Sequence, residues 1–95
     1  MTREQVIGTI KSHEDRWRKY GVTSLWLFGS VARGAETRVS DIDILVSFEN
    51  ESFEAYFGLL NCLEELLGIH VDLVVPAALR SHIKEAVMAE AVRVA

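Results

Sequence analysis

The stretch that decides the fold is Leu27–Gly34, which reads LFGSVARG, followed seven residues later by Asp41–Val46, which reads DIDILV. A glycine-serine turn able to hold a phosphate is thereby joined to two carboxylates at positions i and i+2 of a predicted strand. Because alternate side chains of a strand face the same way, Asp41 and Asp43 are predicted to point to one side and the intervening isoleucines to the other. The two elements together outline a site for magnesium and a triphosphate.

A third carboxylate lies in the apolar run 70–75, which reads HVDLVV. A buried carboxylate without a partner is costly, and no basic residue stands near Asp72 in the sequence. A divalent cation shared with Asp41 and Asp43 would remove that cost, and magnesium takes carboxylate and phosphate oxygens as ligands. Two such ions could align an attacking hydroxyl, an α-phosphate and a leaving pyrophosphate.

Residues of the glycine-serine turn are the predicted phosphate ligands. Gly29 permits close approach of the backbone, and Ser30 offers a hydroxyl as well as an amide. If a helical turn opens at Val31, its free N–H groups face the phosphates as well. Arg33 lies one turn later and could pair with a phosphate oxygen.

Each of these features has an ordinary structural explanation when taken alone. An Asp-x-Asp pair can be the solvated face of a strand, Asp72 a surface carboxylate, the glycine-serine pair a simple turn and Arg33 a solvated charge. The functional interpretation depends on their joint occurrence in the order strand, Gly-Ser, short helix, Asp-x-Asp strand, helix and Asp-bearing strand.

Periodicity predicts an α/β (α+β) domain in the order αβ(α)βαβα, with a small mixed three-stranded sheet flanked by helices. A capping box at Thr2 and Gln5 starts a first helix over about 3–20, and Gly21 is expected to end it. The other predicted elements are a strand at 24–28, a helical turn at 31–35, a polar loop at 36–40, a strand at 41–48, a helix between Ser52 and Gly68 with Phe53, Phe57, Leu60, Leu63 and Leu67 as its apolar residues, a strand at 70–75, and a last helix with Leu79, Ile83, Val87, Ala91 and Val94 on one stripe.

Composition limits the classes of function. The 95 residues predict one domain over 1–95, and an apolar content of 49% indicates some surface for a partner. A net charge of −4 argues against long nucleic acid as a ligand, whereas a single nucleotide carried with a cation is compatible with it. Neither a signal peptide nor a membrane span is recognisable, and Cys62 is the single cysteine, so a cytoplasmic location is expected.

The motifs resemble a known family. Gly29–Gly34 followed by Ser40–Val46 is similar to the signature of the minimal nucleotidyltransferases (MNT) of the DNA polymerase β-like superfamily, and Val71–Val74 is similar to their third-aspartate strand. The resemblance covers nearly the whole chain. It implies the nucleotidyltransferase fold and transfer of a nucleoside monophosphate to a hydroxyl with release of pyrophosphate.

The resemblance also implies roles for individual residues. Asp41 and Asp43 would bind both magnesium ions, and Asp72 would bind the catalytic ion and help deprotonate the acceptor. Gly29 and Ser30 would hold the triphosphate, and Arg33 would support the phosphates or the local turn. ATP as the donor comes from the family alone, since nothing in the sequence is recognisable as a reader of the base.

Many proteins of this kind resemble antitoxins encoded beside a HEPN-domain ribonuclease toxin, which they silence by placing AMP on a tyrosine. Since the chain is short for a separate acceptor-binding domain, a protein partner is expected to supply the acceptor, with the stripe from Leu79 to Val94 as a candidate docking face. Two other hypotheses stay open. One is an antitoxin that neutralises its toxin by binding alone. The other is nucleotide transfer to a small molecule, which would need a pocket built by a homodimer.

Overall fold

The computed structural model describes residues 1–34 and 41–95, so the predicted loop at 36–40 and the last residue of the predicted turn at 31–35 lie outside the described part. Its helices and strands, in chain order, are α1 Arg3–Ser12, α2 Glu14–Trp17, a 3₁₀ turn Arg18–Tyr20, β1 Val22–Phe28, α3 Gly29–Ala32, β2 Ile42–Phe48, α4 Phe53–Leu67, β3 Val71–Val74, a 3₁₀ turn Pro76–Ala78, α5 Ser81–Glu90 and β4 Val92–Arg93.

The sheet is mixed and has four strands in the order β3-β2-β1-β4, so the predicted number of three was wrong by one. Strands β1 and β2 pair antiparallel, and β2 and β3 pair parallel with α4 as the connection between them. Strand β4 pairs antiparallel with the other edge of β1, with Leu27 opposite Val92. The mixed sheet with flanking helices is otherwise as predicted.

The extra strand replaces the end of the predicted last helix. Helix α5 ends at Glu90, and the chain then becomes extended. The backbone N–H of Val94 donates to the carbonyl of Leu25 at 2.8 Å, and the Val94 side chain is buried in the core rather than lying on a helical stripe. The unpaired edge of β1 provides hydrogen-bond partners that a further helical turn could not use.

The first predicted helix is broken at His13. Its capping box forms as expected, with Thr2 Oγ1 accepting from Gln5 N at 3.2 Å and Thr2 N donating to Gln5 Oε1 at 2.9 Å. After the break, the buried indole of Trp17 donates to the carbonyl of Ile10 at 2.7 Å, which ties α2 back onto α1. The bend therefore places a large aromatic side chain in the core.

Helix α4 begins and ends as predicted. Ser52 Oγ accepts from Ala55 N at 3.0 Å at its start, and Gly68 ends it at a φ of 65°. Two of its predicted apolar positions face outward, however, since Phe53 is 84% exposed and Phe57 53% exposed. The residues that bury α4 against the sheet are Leu59, Cys62, Leu63 and Leu67.

One face of the sheet carries the core. Alternate residues of β1 and β2 point into it and are completely buried: Leu25, Leu27, Ile42, Ile44 and Val46. They pack with buried residues of α1, α2 and α4, and burial of each such side chain contributes about 1.5–3 kcal/mol. Asp43, between the two buried isoleucines, must then point to the opposite face.

Within residues 1–34 and 41–95, no helix has both the length and the apolar character needed to span a bilayer.

Candidate active site

Two of the three predicted carboxylates are neighbours on adjacent strands. In the parallel pairing of β2 with β3, Asp43 stands opposite Asp72. Their carboxyl groups are close enough for Asp72 to raise the pKa of Asp43. Asp72 is exposed at this sheet edge and Asp43 is half-buried.

Asp41 immediately precedes β2 and completes the group. Its side chain is 53% exposed, and Oδ2 lies 3.2 Å from Nδ1 of His70. The alternation predicted for the Asp-x-Asp pair is present, because the isoleucine between the two aspartates is completely buried. The charge of Asp41 is also close enough to act on Asp43.

The electrostatics of Asp43 reflect this crowding. Burial raises the pKa of the Asp43 carboxyl, and the charge of Asp72, its hydrogen bond and the charge of Asp41 raise it further. Arg33 acts in the opposite direction and lowers it. The two neighbouring carboxylates therefore oppose the ionisation of Asp43, and a bound cation would reverse that balance.

Gly29 lies against Asp43 from the neighbouring strand. Phe28, the last residue of β1, pairs with Asp43, and Gly29 follows it at a φ of 73°. A Cβ on Gly29 would collide with Oδ2 of Asp43 and come within 3.0 Å of its Cγ. Both the left-handed backbone and the close approach of the carboxylate therefore require glycine at this position.

The glycine-serine turn opens the single-turn helix α3, with Ser30 half-buried in its first turn. Arg33 N donates to the carbonyl of Gly29 at 3.2 Å, which closes the turn. From α1, Nη1 of Arg3 donates to the carbonyl of Ala32 at 3.0 Å and anchors the other end of α3. The predicted phosphate-binding segment is thus fixed from both the sheet and the first helix.

Arg33 has an ion-pair partner that the sequence did not indicate. Its Nη1 lies 3.1 Å from Oε1 of Glu90, the last residue of α5. Both side chains are substantially exposed, at 57% and 39%. Arg33 is therefore near the three aspartates, as its effect on Asp43 indicates, but its guanidinium is turned toward α5.

His70 and Glu64 also belong to this group, although neither was expected from the sequence as a site residue. The ring of His70 contacts Asp41, and its Nε2 lies 3.8 Å from Oε2 of Glu64. The same Glu64 oxygen accepts from the backbone N–H of Val71 at 3.0 Å, which fixes the start of β3. Placing the two Asp-bearing strands in parallel register would have put residue 70 opposite residue 41, so the signal was present in the sequence.

The donor set suits a hard cation. Among the residues that the structure describes, no three His, Cys, Asp or Glu side chains form a ready-made metal cluster. Asp41, Asp43 and Asp72 nevertheless interact electrostatically, and their oxygens are the ligand type that Mg²⁺ prefers. The chemistry of these three side chains is therefore of the kind that suits magnesium.

A small mixed sheet with three acidic side chains beside a glycine-serine turn defines a nucleotide-transferring class of protein, and comparison with known proteins agrees. The family model of the nucleotidyltransferase domain matches residues 9–94. The protein adenylyltransferase MntA of Thermococcus cleftensis is 38% identical over 96 residues, covering 99% of this chain and 97% of that protein. A candidate protein adenylyltransferase of Methanocaldococcus jannaschii is 46% identical over 71 residues, covering 73% of this chain and 72% of that protein.

Solved structures agree on the fold. A structure assigned to a minimal nucleotidyltransferase matches with a TM-score of 0.84 and 33% identity, covering 97% of this chain and 95% of that one. A toxin-antitoxin structure with AMP-PNP matches with a TM-score of 0.68 at 23% identity, covering 100% of this chain and 73% of that one, and supports the fold alone. This chain belongs to the nucleotidyltransferase domain family, as a nucleotidyltransferase of the minimal type.

Proposed function

We propose that this chain transfers AMP from ATP to a hydroxyl group of a partner protein and releases pyrophosphate. The observation that carries the proposal is the meeting of Asp41, Asp43 and Asp72 beside Gly29, where burial and then the neighbouring carboxylates raise the pKa of Asp43. Such a set is unfavourable in the absence of a cation and is suited to one that arrives with a nucleotide.

In this proposal the aspartates hold Mg²⁺, with two ions in the full complex. When bound, the ions would neutralise charge on the phosphates. Gly29 and Ser30 would receive the triphosphate, since glycine lets the backbone approach closely and α3 offers free N–H groups there. Arg33 would leave its ion pair with Glu90 and support the phosphates. Breaking that pair costs little free energy, because both of its side chains are exposed.

The transfer itself needs one base. The acceptor oxygen attacks the α-phosphorus, the bond from that phosphorus to the pyrophosphate oxygen breaks, and the hydroxyl proton is lost. Asp72 is the exposed carboxylate at the edge of the site, so we assign it the removal of that proton. His70, which contacts Asp41, would hold that ligand in orientation.

Relatives favour a protein as the acceptor. The Thermococcus relative is named a protein adenylyltransferase, and one structural neighbour is a tri-AMPylated Shewanella oneidensis HEPN toxin in complex with an MNT antitoxin. We therefore propose a HEPN-domain toxin as the partner, a tyrosine hydroxyl as the acceptor, and an antitoxin role for this chain. The second candidate is neutralisation by binding alone, which the exposed aromatic side chains of α4 favour.

The two candidates separate in one assay. The product of the gene adjacent to that of this chain would be purified and incubated with the chain, ATP and Mg²⁺, and its intact mass measured. Asp43→Asn is the matched control, because it is nearly isosteric and removes one negative charge. Added AMP units with the wild type and none with the variant support the transferase. An unchanged mass in a stable, inhibited complex would refute transfer and leave the binding role.

A further inference from the structure

An open groove of about 610 Å³ lies at the start of α4, outside the candidate active site. Its apolar lining consists of Phe48, Phe53, Tyr56, Phe57 and Val75. Phe53 and Phe57 are two of the three large apolar side chains that the described residues expose, at 84% and 53%. Exposed aromatic residues gathered around a groove are typical of an interaction surface.

The aromatic side chains of this groove are held in order. The rings of Phe53 and Phe57 stack with centroids 6.4 Å apart, and Tyr56 meets Phe57 edge to face at 5.1 Å. The Tyr56 hydroxyl donates to the carbonyl of Leu73 in β3 at 2.5 Å, which fixes the cluster to the sheet. A surface ordered before binding loses less conformational entropy when a partner fills it.

The rim of the groove is acidic. Glu51 lines the groove, and Glu49 and Glu54 are exposed beside its residues in the sequence. Within residues 1–34 and 41–95 none of the three forms an ion pair with another side chain. Along the sequence, no Lys or Arg stands between Arg38 and Arg80. The electrostatic complement of this surface is a segment with Lys or Arg beside its apolar side chains.

The groove and the candidate active site lie on opposite faces of the sheet, and the edge strand β3 runs between them. Val75 in the groove directly follows β3, three residues after Asp72. At about 3.3 Å per residue, the two positions are separated by about 10 Å along the strand. Because β3 is the edge strand, a protein seated in the groove reaches the carboxylates by extending around that edge.

We infer that this groove is the docking site of the protein that supplies the acceptor hydroxyl, and that a segment with apolar anchors and flanking basic residues fills it. The inference rests on the proposed function for the identity of the occupant. The stripe on the last helix is the competing surface, because every side chain of α5 is at least partly exposed and Ile83 is 43% exposed. Helix α5 carries charges of both signs around Ile83, so it offers no single charge for a partner to match.

The test measures the dissociation constant of the complex with a HEPN-domain protein, taken from the genes adjacent to that of this chain. The double variant Phe53→Gln/Phe57→Gln removes the two aromatic anchors, and Ile83→Gln is the matched control on α5. Truncation of central anchors is expected to raise the dissociation constant by at least about 30-fold, with less than about 3-fold for the control. Glu51→Gln/Glu54→Gln should weaken binding by about 3- to 10-fold and flatten its salt dependence, whereas Glu85→Gln should do neither.

Two further measurements interpret the result. Circular dichroism and binding of a fluorescent ATP analogue with Mg²⁺ establish that the groove variants are folded and keep the nucleotide site. A wild type that binds through the groove yet transfers no AMP would refute the proposed function and leave the docking inference standing.

Other outcomes overturn the inference. Unchanged affinity of the Phe53→Gln/Phe57→Gln variant would exclude the groove. A loss confined to Ile83→Gln would place docking on α5. Dissociation of a homodimer by the groove variant, with unchanged partner affinity, would make a second copy of the chain the occupant. Failure of the wild type to bind the HEPN-domain protein at all would also overturn it.

Discussion

Replacement of Gly29 by alanine would place a methyl group against the carboxylate of Asp43. The added Cβ collides with Oδ2, lies 3.0 Å from Cγ and 3.4 Å from Cβ of Asp43, so the whole side chain must rotate away. The backbone is strained as well, because a φ of 73° costs an L-residue about 1–2 kcal/mol. The substitution therefore combines a general cost in stability with a local displacement of one proposed magnesium ligand.

Gly21→Ala separates the two effects. Gly21 has a φ of 81°, and a Cβ there would meet no atom within 4 Å, so this variant carries the backbone strain without the collision. For a domain of this size a loss of 1 kcal/mol lowers the Tm by about 4–8 °C. We expect Gly21→Ala to lose about 1–2 kcal/mol and to keep its AMP-transfer rate within about 3-fold.

Gly29→Ala should lose at least as much stability, and its transfer rate should fall by about 100-fold or more, because a misplacement of about 1 Å costs a rate factor of that order. The assays are thermal unfolding by calorimetry and AMP incorporation into the partner at saturating ATP and Mg²⁺. A Gly29→Ala variant with the same Tm as Gly21→Ala and a transfer rate within about 10-fold of wild type would refute the argument. It would mean that the contact of Gly29 with Asp43 does not position the carboxylate.

Three other predictions concern the charges of the site. Asp43→Asn removes a negative charge that its surroundings disfavour. Without Mg²⁺ at neutral pH, the Tm of this variant should therefore equal or exceed that of the wild type. A Tm lower by more than about 4 °C would contradict this. Because the folded-state pKa of Asp43 is raised, the wild type gains stability relative to Asp43→Asn as pH falls through that pKa. In the same pH range the stabilisation by added Mg²⁺ should disappear. If the pH at which half of that stabilisation is lost is no higher than 3.8, the ordinary pKa of an aspartate, this would be evidence against a raised pKa of Asp43. Glu90→Gln should change the free energy of unfolding by less than about 1 kcal/mol, since the ion pair of Glu90 with Arg33 is exposed. The same variant should bind a fluorescent ATP analogue more tightly. Unchanged affinity would argue against a phosphate contact of Arg33.

Local patterns predicted the parts of the fold that depend on local physics. Alternation along β2 placed the isoleucines in the core and the aspartates on the other face, because the period of a strand is fixed by its backbone. The caps at Thr2 and Ser52 also formed as the sequence indicated, since each needs a partner only three residues away. The roles assigned to the individual site residues stay predictions that the experiments above address.

The structure differs from the sequence prediction where contacts between distant elements determine the local conformation. Val92 and Val94 fit the two-residue period of a strand, but the apolar stripe through Val87 and Ala91 favoured a longer helix. The free edge of β1 favours the strand over a longer helix, because β4 pairs with it. Local sequence periodicity cannot predict that edge. The ion pair of Arg33 with Glu90 likewise depends on how α5 packs against α3.

The hydroxyl of Tyr56 joins two regions that have been treated separately, because its ring lines the aromatic groove while its hydroxyl holds the Leu73 carbonyl, one residue after Asp72. A partner that shifts this ring would shift the strand that carries the third carboxylate. Thermodynamic linkage makes any such effect reciprocal, so whatever factor docking applies to the affinity for Mg²⁺ and nucleotide, the nucleotide must apply to docking. Where docking strengthens nucleotide binding, loss of the nucleotide would weaken docking by the same factor, and the hydrogen bond of Tyr56 is the contact through which the two regions meet.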